Sequence, residues 1–275
     1  MAHRSDARPP DRDTRALARR LARFGRVEWF ADFGGGSGRY LSGYAPIARH
    51  AVLVDRSAVR LGATESRHYR AVERGALHLV RADLRALPFV DDAFDAALAV
   101  RVLHRLADLD RYLAEMARTV RGRWLLDVPI KHHLRARLRA LRHGTRALLD
   151  DPAPAAVPGS AGRSRRYHLA AVRGALAALG FDTGVLSSGW WEPEQVVLCR
   201  RRERRRPRLR PVPEGAGAAT RALARRTVCP ACRGGLDWTD FAAFCRRCGV
   251  CYRHHDGFWD FAAGVAAPVP ADALT

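Results

Sequence analysis

The chain has 275 residues, of which 48% are hydrophobic, enough for one α/β core and one small additional module. Its apolar runs are short and interrupted by arginine, which argues against a transmembrane helix. The polar, proline-bearing start, Met1 to Arg15, lacks the apolar core of a secretory signal, so we expect a cytoplasmic protein with no transmembrane segment.

The formal net charge of +20 raises the question of nucleic-acid binding, because clustered cations bind phosphates with release of counterions. Nearly all of this charge is arginine, and Lys131 is the only lysine. Since arginine has GC-rich codons, genome composition explains arginines spread over helix faces equally well. The block at 200–210 differs, because a local run of like charge should be solvated and extended. It would serve as a flexible tether or as a strip that follows phosphates.

An amphipathic pattern opens the chain: Leu17, Leu21 and Phe24 lie on one face of a short predicted helix. This pattern predicts an N-terminal helical extension over residues 1–25. An apolar face of this kind favours packing on the core.

A glycine-rich turn at residues 32–38, with the sequence D-F-G-G-G-S-G, follows an apolar run and precedes a helical pattern. Glycine lacks Cβ and tolerates positive φ, so such a turn lets the backbone approach a ligand closely. The spacing does not fit the dinucleotide fingerprint G-x-G-x-x-G, because Arg39 or Leu41 occupies the position of the third glycine. The pattern is instead D-x-G-x-G-x-G.

The next two predicted strands also lead to acidic residues. The apolar run 51–54 ends at Asp55, about 20 residues past the glycines, where an acid of a doubly wound sheet accepts hydrogen bonds from ribose hydroxyls. Asp55 also fits a helix N-cap, and the two roles are compatible. A third strand over 76–80 reaches Asp83 and Leu84, within the longer pattern A-D-x-x-x-L-P-F-x-x-x-x-F-D.

A fourth buried strand over 94–100 is followed by the sequence V-L-H-R-L at 102–106 and, after an amphipathic helix, by a fifth strand over 124–128. His104 should lie just past the C-terminal end of the fourth strand, where ligands bind in open sheets. Imidazole titrates near neutral pH, so His104 is the candidate general base; a histidine that caps or packs the next helix is the alternative. Arg101 is suited to holding an anionic substrate group.

These features together resemble the class I methyltransferases that depend on S-adenosylmethionine (SAM), and in particular the methyltransferase type 11 group, over about Val27 to Pro129. The resemblance implies a Rossmann-like α/β domain over 26–202, with a seven-stranded, mostly parallel sheet and helices on both faces. It assigns the methionine and backbone contacts to Asp32, Gly34, Gly36 and Gly38, the ribose to Asp55, and the adenine to Asp83, and it includes Leu84 among the cofactor-binding residues.

Methyl transfer from SAM requires alignment of a nucleophile and exclusion of water rather than a metal or a covalent nucleophile. The chain has no N/D-P-P-Y/F stretch after the fourth strand and no cysteine near the fourth or fifth strand ends. An O, N or carbon-acid acceptor therefore remains, with a small or lipid-like molecule slightly preferred to RNA. A degenerate domain that binds SAM without turnover and presents a partner-binding module is the third hypothesis.

The last part of the chain, 227–275, follows a linker predicted over 203–226 and contains two C-x2-C pairs separated by twelve residues. The four candidate zinc ligands are Cys229, Cys232, Cys245 and Cys248. In a reducing compartment such cysteines are metal ligands rather than disulfides. Four thiolates leave no open position, so the predicted Zn²⁺ is structural and supplies folding energy to a small module.

This C-terminal pattern, with C-P-x-C-x-G-x-L, C-x-x-C-G-x-x-Y and a later D-G, resembles the small zinc-ribbon activator of RNA and release-factor methyltransferases over about Thr227 to Phe261. The resemblance implies a non-catalytic ribbon that adds to the methyltransferase sheet, here packed in cis. It also favours RNA as the alternative acceptor, together with the arginine block.

Overall fold

The computed structural model describes residues 12–106, 108–130, 165–186, 194–203, 206–212 and 215–266. The helices in these ranges are α1 Arg12–Ala22, α2 Leu41–Tyr44, α3 Ala58–Glu73, α4 Leu109–Thr119, α5 Leu169–Ala178 and α6 Ala218–Ala224, with a 3₁₀ turn at Leu103–Arg105. Within the ranges described, no helix is both long enough and apolar enough to cross a bilayer.

The strands are β1 Val27–Phe33, β2 Ala48–Asp55, β3 Leu77–Arg81, β4 Phe94–Ala99, β5 Val120–Pro129, β6 Phe181–Val185, β7 Glu194–Arg201, β8 Asp237–Trp238, β9 Ala242–Cys245, β10 Val250–His255 and β11 Phe258–Ala266. They form one eleven-stranded sheet in the order β6-β7-β5-β4-β1-β2-β3-β11-β10-β9-β8.

Strands β1 to β7 form the predicted Rossmann-like unit. β3, β2, β1, β4 and β5 pair in parallel, and β7 and β6 continue the sheet in antiparallel fashion. The strand order reverses direction between β1 and β4, and the crevice above such a switch point is where ligands bind in open α/β sheets. The prediction of a seven-stranded, mostly parallel sheet is confirmed.

The core is divided into two layers by the sheet, because alternate residues of a strand point to opposite faces. Trp29 and Trp124 are buried on one face, and Phe30 and Leu98 on the other. The second layer also contains Leu17 of α1, so the N-terminal helix packs on the core of the sheet domain.

The C-terminal module, defined as residues 227–266, extends the same sheet. β11 pairs in parallel with β3, placing Trp259 opposite Val80, and β10, β9 and β8 follow in antiparallel fashion. Beside this junction, Arg81 donates a 2.7 Å hydrogen bond to the buried carboxylate of Asp260. The module therefore packs in cis through both backbone pairing and a charged contact.

The predicted linker over 203–226 contains an ordered helix, α6, in its second half. Its sequence, A-A-T-R-A-L-A, is rich in good helix formers, whereas the prolines and glycines of this range all lie before α6. Leu223 is fully buried, and just after α6 the Arg226 guanidinium lies 4.5 Å from the centre of the Trp29 ring. Burial lowers the pKa of Arg226 to about 10.

Asp95, the acid of the F-D pair at the start of β4, forms hydrogen bonds to the neighbouring strands β1 and β5 at the N-terminal edge of the sheet. Its carboxylate accepts the backbone N–H groups of Glu28 and Trp29 at 3.1 and 2.9 Å, and Arg121 Nε at 2.8 Å. It is a structural residue, far from the C-terminal strand ends.

We expect Asp95→Ala to lower the free energy of unfolding by about 1–3 kcal/mol, because it leaves two backbone donors without their acceptor. The control is Asp182→Ala, which removes an acid that is 70% exposed and that pairs, within the described part of the chain, with Arg202; such surface pairs contribute about 0–1 kcal/mol. Urea denaturation measures both values. Equal losses in the two variants would contradict this role.

Candidate functional site

The glycine turn after β1 has the backbone geometry that its sequence predicts. Gly34, Gly36 and Gly38 have φ values of +75°, +57° and +73°, which L side chains rarely adopt. A Cβ on Gly34 would also lie 2.6 Å from Val102 Cγ2. The turn is therefore restricted to glycine by conformation and, at Gly34, by contact with the segment after β4.

Asp55, at the end of β2, holds this turn in place. One carboxylate oxygen accepts the Gly36 N–H at 2.9 Å and the other accepts the Ser57 N–H at 2.8 Å. The N-cap of α3 is Ser57, whose side chain accepts the Arg60 N–H. Each Asp55 oxygen keeps a further lone pair, so its structural role leaves room for ligand hydroxyls.

Asp32, at the end of β1, is a buried carboxyl beside the turn. Burial raises its pKa to about 7; the adjacent Tyr44 hydroxyl opposes this shift and the nearby Asp55 charge adds to it. Neither Asp32 Oδ2 nor the Tyr44 hydroxyl has a hydrogen-bond partner of good geometry in the described residues. An unsatisfied buried carboxyl at a glycine turn is suited to a cationic ligand group.

Asp83 and Leu84 follow β3 at the same edge, but the Asp83 carboxylate is already engaged. The Arg85 guanidinium donates to both of its oxygens, at distances of 2.6 to 3.1 Å, and the Arg85 N–H donates at 2.9 Å. Leu84 is buried. An adenine amino group would have to share Asp83 with Arg85 or displace it, which sequence reasoning did not foresee.

His104 lies in the 3₁₀ turn between β4 and α4 and is half-buried. Its Nε2 accepts a hydrogen bond from Arg105 Nε at 3.1 Å, and its carbonyl accepts the Arg165 N–H at 3.0 Å. The N-cap of α4 is Asp108, whose side chain accepts the Arg111 N–H, so His104 does not cap that helix.

The three acids lie on neighbouring strands along one edge of the sheet. The register pairs Asp32 with Leu53, two residues before Asp55, and pairs Asp55 with Arg81, two residues before Asp83. His104 follows β4, on the other side of β1. The sheet thus brings the predicted site residues of the first domain to its C-terminal edge.

A pair that sequence reasoning missed lies at the ends of β4 and β5. Asp127 is 4% exposed and accepts the Arg101 N–H at 2.8 Å. Arg101 has a φ of +58°, which costs a non-glycine residue about 1–2 kcal/mol. The available signal was an acid within the otherwise apolar strand sequence W-L-L-D-V.

The four predicted metal-ligating cysteines meet in the C-terminal module. Their Sγ atoms all lie within 4.8 Å of one another, with Cys229–Cys248 at 4.0 Å and Cys232–Cys245 at 3.5 Å. A tetrahedral zinc with Zn–S bonds of about 2.3 Å would separate the sulfurs by about 3.8 Å. The donor set and spacing therefore fit a four-thiolate ion.

A protein-family model described as a methyltransferase domain matches residues 31–123. The match runs from the end of β1 into β5 and includes the glycine turn, the three acids and His104. The predicted resemblance to SAM-dependent methyltransferases is confirmed over this segment, which is similar to a methyltransferase domain.

Three solved structures illustrate the similarity of the fold. The YcgJ protein of Bacillus subtilis is 16% identical, over 69% of this chain and 99% of its own, with a TM-score of 0.49. Magnesium protoporphyrin IX methyltransferase from Synechocystis, solved with bound SAH, is 17% identical, over 69% of this chain and 83% of its own, with a TM-score of 0.49. The third is a complex of the Haloferax volcanii Trm112 methyltransferase activator with a protein described as a methyltransferase. The matched chain is 16% identical, over 69% of this chain and 94% of its own, with a TM-score of 0.47. No curated protein matches the chain significantly.

The raised pKa of Asp32 predicts that SAM binding releases protons. A cation placed near this carboxyl favours its ionised form, so binding lowers the pKa from about 7 and protons are released over the pH range that lies below about 7. SAM affinity should accordingly increase as pH rises through this range.

Calorimetry in phosphate and in Tris, which differ in ionisation enthalpy, measures the release. Asp32→Asn should abolish it, whereas Asp13→Asn, at an exposed acid of α1, should leave it unchanged. Release of the same size from the Asp32→Asn protein would exclude Asp32 as the source.

Proposed function

We propose that this enzyme transfers the SAM methyl group to an O, N or carbon-acid acceptor, and that a small or lipid-like molecule is the preferred acceptor. The observation that carries the proposal is the Asp55 carboxylate, which ties the left-handed glycine turn to the start of α3 and keeps lone pairs for a ligand. Bound SAM supplies a methyl group already activated by its sulfonium. The protein residues bind, orient and desolvate the reactants.

Each site residue has a role in this proposal. Asp32 offers negative charge to the cationic methionine end of the cofactor, while the turn glycines let the backbone approach it. Asp55 accepts from the ribose hydroxyls. Asp83 and Leu84 serve the adenine, with Arg85 giving up part of its contact to Asp83.

His104 is the proposed general base. It is half-buried after β4, and its Nε2 acts as an acceptor for Arg105, which corresponds to the neutral imidazole that a base requires. Removal of an acceptor proton by this ring would require Arg105 to move aside.

RNA is the second candidate acceptor, and the segment 206–212 favours it. Arg206, Arg208 and Arg210 are exposed and alternate with the half-buried Pro207 and Leu209. In an extended chain such positions are about 6.6 Å apart on one side. Neither Arg206 nor Arg208 has an acidic partner in the described residues. RNA affinity with a steep dependence on salt would support this alternative.

A non-catalytic scaffold that binds SAM is the third candidate, and the fused C-terminal module is the feature that favours it. The experiment that separates the three is transfer of labelled methyl from SAM into fractionated small-molecule, lipid, RNA and protein pools. Label in the small-molecule or lipid pool supports the first proposal, and label in RNA supports the second. SAM binding without transfer of label to any pool would support the third candidate, the non-catalytic scaffold.

The proposal includes a structural zinc ion held by the four cysteines of the C-terminal module. Their spacing fits the ion, and Tyr252 lies with its hydroxyl 3.3 Å from Cys229 Sγ, where it can donate to a thiolate. Cysteines that bind a metal rather than pair in disulfides are typical of a reducing compartment, so we place the protein in the cytoplasm.

Asp55→Ala is expected to weaken SAM binding by 10-fold or more, because it removes the ribose acceptor and leaves the Gly36 and Ser57 N–H groups without their partner. Asp55→Asn keeps one acceptor oxygen and should therefore lose less SAM affinity than Asp55→Ala. Equilibrium titration measures the dissociation constants, and circular dichroism checks the fold. An unchanged constant in a folded Asp55→Ala protein would exclude this cofactor site.

Removal of zinc is expected to unfold the C-terminal module, since a small metal module gains its folding energy from the ion. The matched variants are Cys245→Ser, at a proposed ligand, and Cys199→Ser, at a buried core cysteine that is not one. Metal analysis of purified protein should give one zinc per chain for the wild type and for Cys199→Ser, and markedly less for Cys245→Ser. Full zinc content in Cys245→Ser would contradict the four-thiolate site.

A further inference from the structure

Three segments meet at the C-terminal edge of the sheet on the far side of the glycine turn from Asp55. Tyr40 comes directly after the turn, at the N-cap of α2. Arg101 follows β4, and Gly34 packs against the next residue, Val102. Asp127 lies in β5, whose register with β4 pairs Leu126 with Ala99 and so brings Asp127 beside the segment that begins at Val100.

The backbone of Arg101 is fixed in an unusual conformation by a buried group. Its φ is +58°, and its N–H donates to Asp127 Oδ1 at 2.8 Å. Non-glycine residues persist in the left-handed region only where the surroundings hold them, and such positions concentrate at functional sites. Asp127 is 4% exposed, so the acceptor side of this part-buried bond is shielded from water.

The Arg101 side chain is exposed and has no acidic partner among the residues that the structure describes. Two other arginines at this edge are engaged: Arg81 by Asp260, and Arg85 by Asp83. A guanidinium that emerges from a rigid backbone next to the cofactor turn is available for a ligand. Its planar pair of donors matches the oxygens of a carboxylate or phosphate.

Tyr40 adds a neutral hydrogen-bonding group to the same place. Its side chain is buried, and burial raises the pKa of the phenol, while the charges of Arg39 and Arg101 oppose the shift. The phenol is thus protonated at neutral pH and lies within electrostatic reach of both Arg101 and Asp127.

We infer that Arg101 anchors an oxyanion of the methyl acceptor, so that the acceptor is a small molecule bearing a carboxylate or phosphate, and that Asp127 is a positioning residue that directs Arg101. This inference rests on the proposed function and names the substrate class of that same site. The anchored oxyanion need not be the atom that is methylated. The Tyr40 hydroxyl donates a hydrogen bond to the methyl-acceptor molecule next to the group that Arg101 binds.

The substrate class is tested with a small-molecule extract of the source cells, separated on an anion exchanger into retained and unretained fractions. Each fraction is incubated with the protein and labelled SAM. We expect label in the retained fraction. Prior treatment of that fraction with alkaline phosphatase distinguishes the two sources, because it removes the acceptor if the anion is a phosphomonoester and spares a carboxylate.

The anchoring role is tested by kinetics on the labelled acceptor. Arg101→Gln should raise KM for the acceptor by 30-fold or more, with kcat within 3-fold and the SAM dissociation constant unchanged; Arg101→Lys should retain part of the affinity. The charge-matched control is Arg49→Gln, at a surface arginine of β2 that pairs with Glu28. It should leave KM unchanged.

The positioning role of Asp127 has a separate readout. Asp127→Ala should raise the acceptor KM, while Asp127→Asn, which keeps an oxygen for the Arg101 N–H, should restore most of the affinity. Arg101→Gly removes both the guanidinium and the strain, so Asp127→Ala added to it should raise KM no further. A structural role alone would instead lower the unfolding midpoint of Asp127→Ala and leave the acceptor KM unchanged.

Label only in the unretained fraction, or an acceptor KM that Arg101→Gln does not change, would overturn the inference while leaving the methyltransferase proposal intact. Label only in RNA, with kinetics insensitive to Arg101→Gln, would overturn it as well. Failure of the protein to bind SAM at all is a different result, because it would reject the proposed function itself.

Discussion

The two hydrogen bonds of the Asp55 carboxylate are the constraint on which the cofactor edge depends. They join the end of β2 to the turn after β1 and to the N-cap of α3, through residues that are 19 and 2 positions away in sequence. The glycines allow the turn to adopt positive φ but do not by themselves select one conformation. The buried Asp55 carboxylate at the end of the neighbouring strand selects one conformation, because it accepts the Gly36 N–H. The shape of the turn and the position of the acid are therefore determined together.

Burial of acids recurs along this edge, with different consequences. Asp32 has a raised pKa because it is enclosed without a full set of partners, whereas the partly buried Asp83 is paired with the guanidinium of Arg85. Asp127 instead satisfies a backbone donor in a strained segment. Aspartate therefore has three roles along one edge of the sheet: Asp32 is a carboxyl group with a raised pKa, Asp83 forms a salt bridge, and Asp127 accepts a backbone hydrogen bond.

The periodicity and spacing of the sequence were sufficient to predict the first five strands, the glycine turn and the four clustered cysteines, whereas the parallel arrangement of the strands came from the resemblance to a known family. These features follow from local patterns: apolar runs that end in acids, alternating glycines, and paired C-x2-C steps. The roles assigned to Asp32, Asp55, Asp83 and His104 stay predictions, although the sheet brings these residues to one edge. The Arg101–Asp127 bond could not be predicted, because it joins residues 26 apart through a backbone donor that no sequence pattern marks. Helix α6 was missed because the surrounding proline and glycine dominated the composition of its range.

The parallel pairing of β11 with β3 makes the C-terminal module an intramolecular strand donor. Because the two strands belong to one polypeptide, their association has an effective concentration set by the connecting segment and does not fall on dilution. Each sheet is completed by its own chain, so the two parts are always present in equal amounts. A separate protein could add at this edge only by first displacing β11.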